Sequence, residues 1–200
     1  MNDRVSELRL FFPTPIWITN INNYRDTNEI MKNYINKIKK IDEKGVQRSN
    51  LKGWHSPDFD LNQNEPKQFV NMISKSISEC LVDMGWDIKK QQVKITAMWS
   101  IVNPPGSSNQ RHIHGNNFIS AAYYVKVHEG SGNIIFHDPR SEPVFYHPIV
   151  DKPNNLNTNV VSIEPKEGML VLFPSYLHHS VDLNRSEEDR IIISFNATLV

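Results

Sequence analysis

The hydrophobic pattern changes its period near residue 92, and this change constrains the fold more than any other feature of the sequence. Before it, residues 25–41 and 65–83 carry apolar side chains at helical spacing. After it, short apolar runs alternate with Gly- and Pro-containing turns, which is typical of strands. We predict strands near 93–102, 117–127, 132–137, 143–148, 158–164, 168–173 and 190–199. Seven or eight short strands predict a mainly β jelly roll, with the N-terminal helices packed outside one sheet.

The segments around the helices give further expectations. Asp26 or Thr27 is expected to cap the first helix, and Gly85 to end the second. Residues 43–63 contain glycines and a proline and predict a loop. Residues 8–19 are apolar and aromatic but contain two prolines, which favours an edge strand.

Length and charge restrict the class of protein. The 200 residues suit one domain, with helical support over roughly 25–85 and a jelly-roll core over roughly 92–200. Lys plus Arg is 22 and Asp plus Glu is 22, so charge gives no reason to expect nucleic acid or a membrane as a partner. The start of the chain lacks the features of a signal peptide. Cys80 is the only cysteine, which excludes an internal disulfide, and we expect a cytoplasmic protein.

Two tight histidine clusters indicate a metal site. His112 and His114 are two residues apart in a strand-rich region, where such residues point to the same face. The pair His178 and His179 follows a short buried strand that ends at Pro174. Two ligands from one strand and one from a distant strand form a facial triad, which leaves one side of the metal open. Either cluster alone occurs often without metal, but their joint placement favours a site.

The other histidines are separate. His55, His128 and His147 are isolated, and we interpret them as surface or loop residues. His137 begins the segment His-Asp-Pro-Arg at the end of a predicted strand, and its pattern assigns it no role.

Arg190 begins a late strand, and its side chain shares a face with Ile192, Ser194 and Asn196. An arginine on the inner face of a small barrel is costly unless a carboxylate meets its planar guanidinium. The alternative is a surface arginine that pairs with one of the acidic residues at 187–189. Spacing alone does not decide between them.

Seven motifs occur in a fixed order along nearly the whole chain: LFFPTP (10–15), SNLKGWHS (49–56), WSIVNPPG (99–106), HIHGNNFISAAYYV (112–125), GNIIFHDPR (132–140), GMLVLFPS (168–175) and RIIISFN (190–196). This ordered set resembles the 2-oxoglutarate and iron(II) oxygenases found widely in bacteria and their phages. These form a branch of the prolyl-hydroxylase-like superfamily, so the resemblance implies a double-stranded β-helix.

The resemblance implies roles for residues of the site. His112 corresponds to the first iron ligand, and His179 to the distal one, since it directly precedes Ser-Val as in the superfamily. Arg190 corresponds to the base that binds 2-oxoglutarate, and Tyr124 helps to hold the same carboxylate. Ser194, on the face of Arg190, is assigned to cosubstrate binding with them.

The sequence departs from the superfamily pattern at two positions. His114 stands where an aspartate or glutamate is usual, so either it completes a three-histidine site or the metal keeps two protein ligands and water. Ile192 stands where the family often has serine, which removes one hydrogen bond to the cosubstrate.

The function expected from the resemblance is oxidation of a substrate C–H bond, usually hydroxylation, coupled to conversion of 2-oxoglutarate to succinate and carbon dioxide. Trp54, His55, Asp138 and Arg140 are candidates for contact with an unknown small-molecule or peptide substrate, although each could simply be loop structure. A cupin-like metalloenzyme without 2-oxoglutarate and a non-catalytic jelly roll are the alternatives. The apolar residues 8–12 could serve a homodimer or the core.

Overall fold

The computed structural model describes residues 5–140 and 148–200. Within these ranges, two helices precede most of the strands: α1 (Tyr24–Ile41) and α2 (Asn64–Asp83). The strands in chain order are β1 (Trp17–Asn20), β2 (Asn50–Leu51), β3 (Trp54–His55), β4 (Val93–Asn103), β5 (Ser108–His112), β6 (Ile119–Lys126), β7 (Ile134–His137), β8 (Val160–Ile163), β9 (Met169–Pro174), β10 (His179–Val181) and β11 (Arg190–Leu199).

The strands form two antiparallel sheets. The larger has the order β1-β9-β6-β11-β4-β3, and the smaller has the order β2-β5-β10-β7-β8. Aromatic residues of both sheets meet between them: the rings of Phe136 on β7 and Phe173 on β9 are 4.9 Å apart. The predicted mainly β architecture is confirmed.

The two helices cover the outer face of the larger sheet. Met31, Ile35 and Phe69 of the helices are fully buried there, in one cluster with Ile193 and Phe195 of β11. Residues at alternate positions of the same strands point inward instead, in a second cluster between the sheets. The prediction that the helices lie outside one sheet is therefore confirmed.

The helix bounds agree with the periodicity, but one cap does not. Both helices begin one residue before the predicted start, and Gly85, with a φ of 68°, follows the end of α2 as expected. The residue before α1 is Asn23, in a left-handed conformation, and no side chain caps the helix. The prediction of Asp26 or Thr27 as the cap is therefore wrong, since both lie inside the first turns.

The strands show larger differences. The predicted edge strand begins only at Trp17, and the apolar residues before it include Phe11 and Phe12, which are exposed rather than part of the core. The predicted loop 43–63 contains the short strands β2 and β3, and β5 and β10 had no prediction as separate strands. Most of the predicted strand 143–148, with His147, lies outside the described residues. Among described residues, no helix is both long and apolar enough to cross a membrane.

Candidate active site

Strand register brings two histidines together. His179 on β10 lies directly opposite His112 on β5, and directly opposed residues of an antiparallel pair point to the same face. His114 lies just after β5 ends, so the expectation of both His112 and His114 on one strand is wrong. The backbone N–H of His114 donates to the carbonyl of Ser175, 3.0 Å away, and this bond holds it beside the other two.

The three imidazoles converge. One ring nitrogen from each of His112, His114 and His179 can be chosen so that all lie within 4.8 Å of one another, and the Nε2 atoms of His114 and His179 are 3.3 Å apart. Nδ1 of His112 lies 2.7 Å from the Gln110 carbonyl, and Nδ1 of His179 lies 3.0 Å from the Leu177 carbonyl. A carbonyl only accepts, so each Nδ1 carries the proton. Both Nε2 atoms therefore present a lone pair, as a metal ligand must.

Burial keeps these rings neutral. It lowers the pKa of His179 to about 3 and that of His114 to about 4, and it also lowers the pKa of His112. The neighbouring imidazoles lower all three further, because clustered positive charges repel. At neutral pH a divalent cation would displace few protons here, so the donor set fits a metal such as iron(II). His178 is half-buried and lies outside this group.

A cavity of about 560 Å³ adjoins the three histidines. Its inner wall comes from alternate residues of β4, β6 and β11, which face the smaller sheet: Trp99, Ala122, Ile192, Ser194 and Asn196. Phe173 of β9 closes one side, with its ring 4.6 Å from that of His179. The size is typical of small-molecule sites.

Arg190 is 1% exposed on the inner side of β11. Its Nη1 donates to the carbonyls of Ser131 at 2.7 Å and Gly132 at 2.9 Å, whereas Nε and Nη2 have no hydrogen-bond partner among the described residues. A buried cation with unused donors is costly unless an anion meets it. The alternative of a surface arginine is therefore wrong, and Glu188 pairs with Lys126 instead.

Tyr124 and Ser194 lie on the same face as Arg190. Tyr124 is opposite Ile192 across the β6–β11 pair, and Ser194 is opposite Ala122. Burial raises the pKa of Tyr124 to about 12, although the charge of Arg190 acts in the other direction. The phenol therefore keeps its proton and can donate it to an acceptor. The arrangement suits a carboxylate held by a guanidinium and a hydroxyl.

The structure separates the four candidate substrate residues. His55 is buried on β3 opposite Ile101 of β4 and lines the cavity, so its interpretation as a surface or loop residue is wrong. Trp54, its neighbour on β3, points to the opposite face, lies in the cluster under the helices and donates from Nε1 to the carbonyl of Asp42. Asp138 and Arg140 pair with each other at 2.7 Å and line a different cavity. Only His55 of the four lies at the three-histidine cavity.

Sequence reasoning missed part of the cavity wall. Arg48, Ser49 and Asp58 also line it, and the Ser49 hydroxyl lies 3.4 Å from Nε2 of His112. All three come from the segment 43–63, which has no hydrophobic period. The motif 49–56 includes Ser49 but neither Arg48 nor Asp58, and a motif alone does not show which side chains face a cavity.

Comparison with known proteins identifies a family and a fold. A family model described as "Putative 2OG-Fe(II) oxygenase" matches residues 97–196, which is half of the chain. No curated protein sequence matches this chain significantly.

Solved structures resemble more than nine-tenths of the chain. A prolyl-4-hydroxylase from Pseudomonas putida has a TM-score of 0.62 and 14% identity over 92% of each chain. A viral collagen prolyl hydroxylase from Paramecium bursaria Chlorella virus-1, solved with 2-oxoglutarate, has a TM-score of 0.60 and 13% identity over 91% of this chain and 94% of its own. A prolyl hydroxylase from Trichoplax adhaerens, solved with a hypoxia inducible factor peptide, has a TM-score of 0.63 and 15% identity over 92% and 83%. The shared fold is the double-stranded β-helix.

Proposed function

Because this chain belongs to the 2-oxoglutarate and iron(II) oxygenase family, we propose that it is a hydroxylase with iron(II) held by His112, His114 and His179. The family establishes the enzyme class and its two cofactors, iron(II) and 2-oxoglutarate. The assignment of individual residues is supported by the convergence of the three imidazoles.

One observation carries the cosubstrate assignment. Arg190 is buried on the inner face with Nε and Nη2 unused, which is the environment that a ligand carboxylate would complete. We assign the far carboxylate of 2-oxoglutarate to this guanidinium. Tyr124, protonated and buried on the same face, would donate a second bond, and Ser194 would border the bound molecule.

The protein's own groups orient the reactants and exclude water. Iron(II), 2-oxoglutarate and dioxygen, when bound, supply the oxidising chemistry: one oxygen atom enters succinate as carbon dioxide leaves, and the other enters a substrate C–H bond. The fixed Nδ1–H bonds of His112 and His179 hold their rings in place. Phe173 and Ile192 line this end of the cavity with apolar side chains, which would exclude water around the bound reactants.

The three-histidine donor set favours a second candidate function. Asp58, the carboxylate that lines the cavity, is not within ligand distance of the three histidines, so the usual carboxylate ligand has no counterpart in the described cluster. Such a set suits a cupin-like metalloenzyme that does not use 2-oxoglutarate. Replacement of Arg190 with Ala separates the two, since it should abolish 2-oxoglutarate turnover in the first case and matter little in the second.

We also propose a cytoplasmic, bacterial or phage protein that acts on a small molecule or peptide rather than on nucleic acid or at a membrane. Balanced charge and a single buried cysteine support this. The exposed Phe11 and Phe12 leave a homodimer open to test by solution mass measurement.

The proposed function is tested by succinate formation. Protein loaded anaerobically with iron(II) should release succinate when 2-oxoglutarate and dioxygen are added, even without a substrate. His179→Ala is the matched inactive control, because it removes a metal ligand. Iron-loaded protein that forms no succinate in any mixture would support the non-catalytic alternative.

A further inference from the structure

One wall of the cavity comes from outside the region that the family model matches. The residues assigned to iron and 2-oxoglutarate all lie within 97–196, as does most of the lining. Among the described residues, four that line the cavity lie elsewhere: Arg48, Ser49, His55 and Asp58. We call these four residues the N-terminal wall. The family model does not cover this part of the cavity. The four residues are therefore candidates for determining which substrate binds.

The N-terminal wall is fixed against β4. After β3 ends, Ser56 and Phe59 donate their backbone N–H groups to the carbonyls of Ser100 and Met98, at 2.9 and 2.6 Å. On the other side, a Cβ at Gly45 would lie 2.5 Å from the carbonyl oxygen of His55, so this loop packs directly on the strand. A wall held in this way can present side chains at set positions.

His55 provides an oriented acceptor in the N-terminal wall. Its Nδ1 donates to the carbonyl of Ser56 at 2.7 Å, which leaves Nε2 with a lone pair. Its ring stacks on Trp99 with centroids 5.5 Å apart and planes 9° apart, and Trp99 in turn lies 5.6 Å from the ring of His114. Trp99 therefore contacts both His55 and the three-histidine site.

Two opposite charges accompany this acceptor. Arg48 and Asp58 both line the cavity and are exposed, and neither side chain makes an ion pair or hydrogen bond with another described residue. Both lie close enough to His55 to act on its pKa, which Arg48 lowers and Asp58 raises, although burial has the largest effect and lowers it. The N-terminal wall therefore offers one cation, one anion and one neutral acceptor together, and Arg111 on β5 adds a second cation to the cavity lining.

We propose that the N-terminal wall binds a free amino acid or a close zwitterionic analogue as the substrate. Arg48 receives the substrate carboxylate, and Asp58 together with Nε2 of His55 receives the ammonium group. The match of two charges and an acceptor favours a zwitterion over a peptide segment, whose backbone carries neither charge. This inference rests on the proposed function and names the substrate class of the same cavity.

Stimulated turnover tests the inference. Succinate formation by the iron-loaded protein is measured with 2-oxoglutarate alone and then with each common protein amino acid. At least one free amino acid should raise the rate several-fold and gain the mass of one oxygen atom, and its N-acetyl and amide derivatives should not. Succinate without stimulation by any amino acid, or equal stimulation by the blocked derivatives, would overturn the inference and leave the proposed function intact. No succinate in any mixture would overturn both.

Variants of the N-terminal wall test the named contacts. Arg48→Gln and Asp58→Asn should each raise the KM for the stimulating amino acid about tenfold, the scale of one partly exposed charge pair in a binding site. Lys44→Gln and Glu43→Gln remove the same kinds of charge from the same segment, 43–63, but neither residue lines the cavity, so they serve as matched controls. Equal KM values in all four variants would overturn the assignment.

Discussion

The outer and inner faces of the six-stranded sheet are built from alternate residues of the same strands. They differ in whether their buried polar groups have hydrogen-bond partners. On the outer face, the buried Tyr123 hydroxyl donates to Asn28 at 2.6 Å, and the Asn28 amide donates to the carbonyl of Val125 at 2.8 Å. On the inner face, Nε and Nη2 of Arg190 and Nε1 of Trp99 are buried and have no hydrogen-bond partner in the part of the chain that the structure describes.

This difference shows where a ligand is needed. A fold ordinarily satisfies its buried polar groups, so unused donors on one face indicate a partner that the chain itself does not supply. The outer face contributes stability, and the inner face contributes the site. The predictions below compare the two, beginning with the largest expected effect.

Phe195→Ala should have the largest effect on stability. Phe195 is fully buried under the helices, so its removal should lower the free energy of unfolding by about 3–5 kcal/mol. Chemical denaturation of the metal-free protein measures this change. A loss below about 1 kcal/mol would contradict the view of the outer face as the main source of stability.

Arg190→Met should weaken binding of 2-oxoglutarate without destabilising the fold. The KM for 2-oxoglutarate should rise at least about 100-fold, because a buried carboxylate loses its counter-charge. The free energy of unfolding should stay equal or increase, since the ligand-free protein no longer buries a cation with unused donors. Arg185→Met, at an exposed position, is the control. A large loss of stability with an unchanged KM would show that Arg190 is structural.

Two variants of His114 test whether this histidine binds the metal in place of the usual carboxylate. His114→Ala should weaken iron(II) binding about tenfold or more, because one of three ligands is lost, whereas His114→Asp should retain binding through a carboxylate. Competition with a metal chelator measures both affinities. Equal affinity in His114→Ala and the unchanged protein would mean that His112 and His179 bind the metal without it.

Sequence predicted the fold better than the site. Helical spacing gave both helices to within one residue at their starts, because each buries a continuous apolar stripe. The strands β5 and β10 escaped prediction because they are short and carry polar side chains rather than an alternating apolar pattern.

The burial and contacts of individual side chains could not be predicted from the sequence. The face of Arg190 followed from alternation along β11, but its burial and unused donors required the register with the neighbouring strands. His55 and Trp54 were equivalent candidates in sequence, and only the pairing of β3 with β4 separates them.

The pH dependence of stability should follow the buried histidines. The pKa values of His179 and His114 are about 3 and about 4 in the folded protein, against 6.5 for a free imidazole. Below pH 6.5 the unfolded chain therefore takes up protons that the folded chain does not. This contribution to stability is fully present above that pH and is lost as pH falls toward 4 for His114 and toward 3 for His179, by about 1.4 kcal/mol per pH unit for each group. Denaturation at several pH values measures how steeply the free energy of unfolding changes with pH. This slope should be smaller for His179→Gln than for the unchanged protein. An unchanged slope would contradict the effect assigned to burial.

Ser194→Ala should have the smallest effect. It removes a hydroxyl that lines the cavity on the face of Arg190, so the KM for 2-oxoglutarate should rise only a few-fold, about the value of one neutral hydrogen bond. Denaturation should show a stability change within about 1 kcal/mol. An effect as large as that of Arg190→Met would place the cosubstrate differently.

The most direct measurement is an anaerobic titration of the iron(II) protein with 2-oxoglutarate, followed by visible absorbance. Chelation of the metal by the keto acid should give a weak charge-transfer band that saturates with concentration. The band should be absent in His179→Ala and should need at least about 100-fold more 2-oxoglutarate in Arg190→Met. Bound iron without any such band, or identical titrations of the unchanged protein and Arg190→Met, would contradict the assignment of the inner face to iron and 2-oxoglutarate.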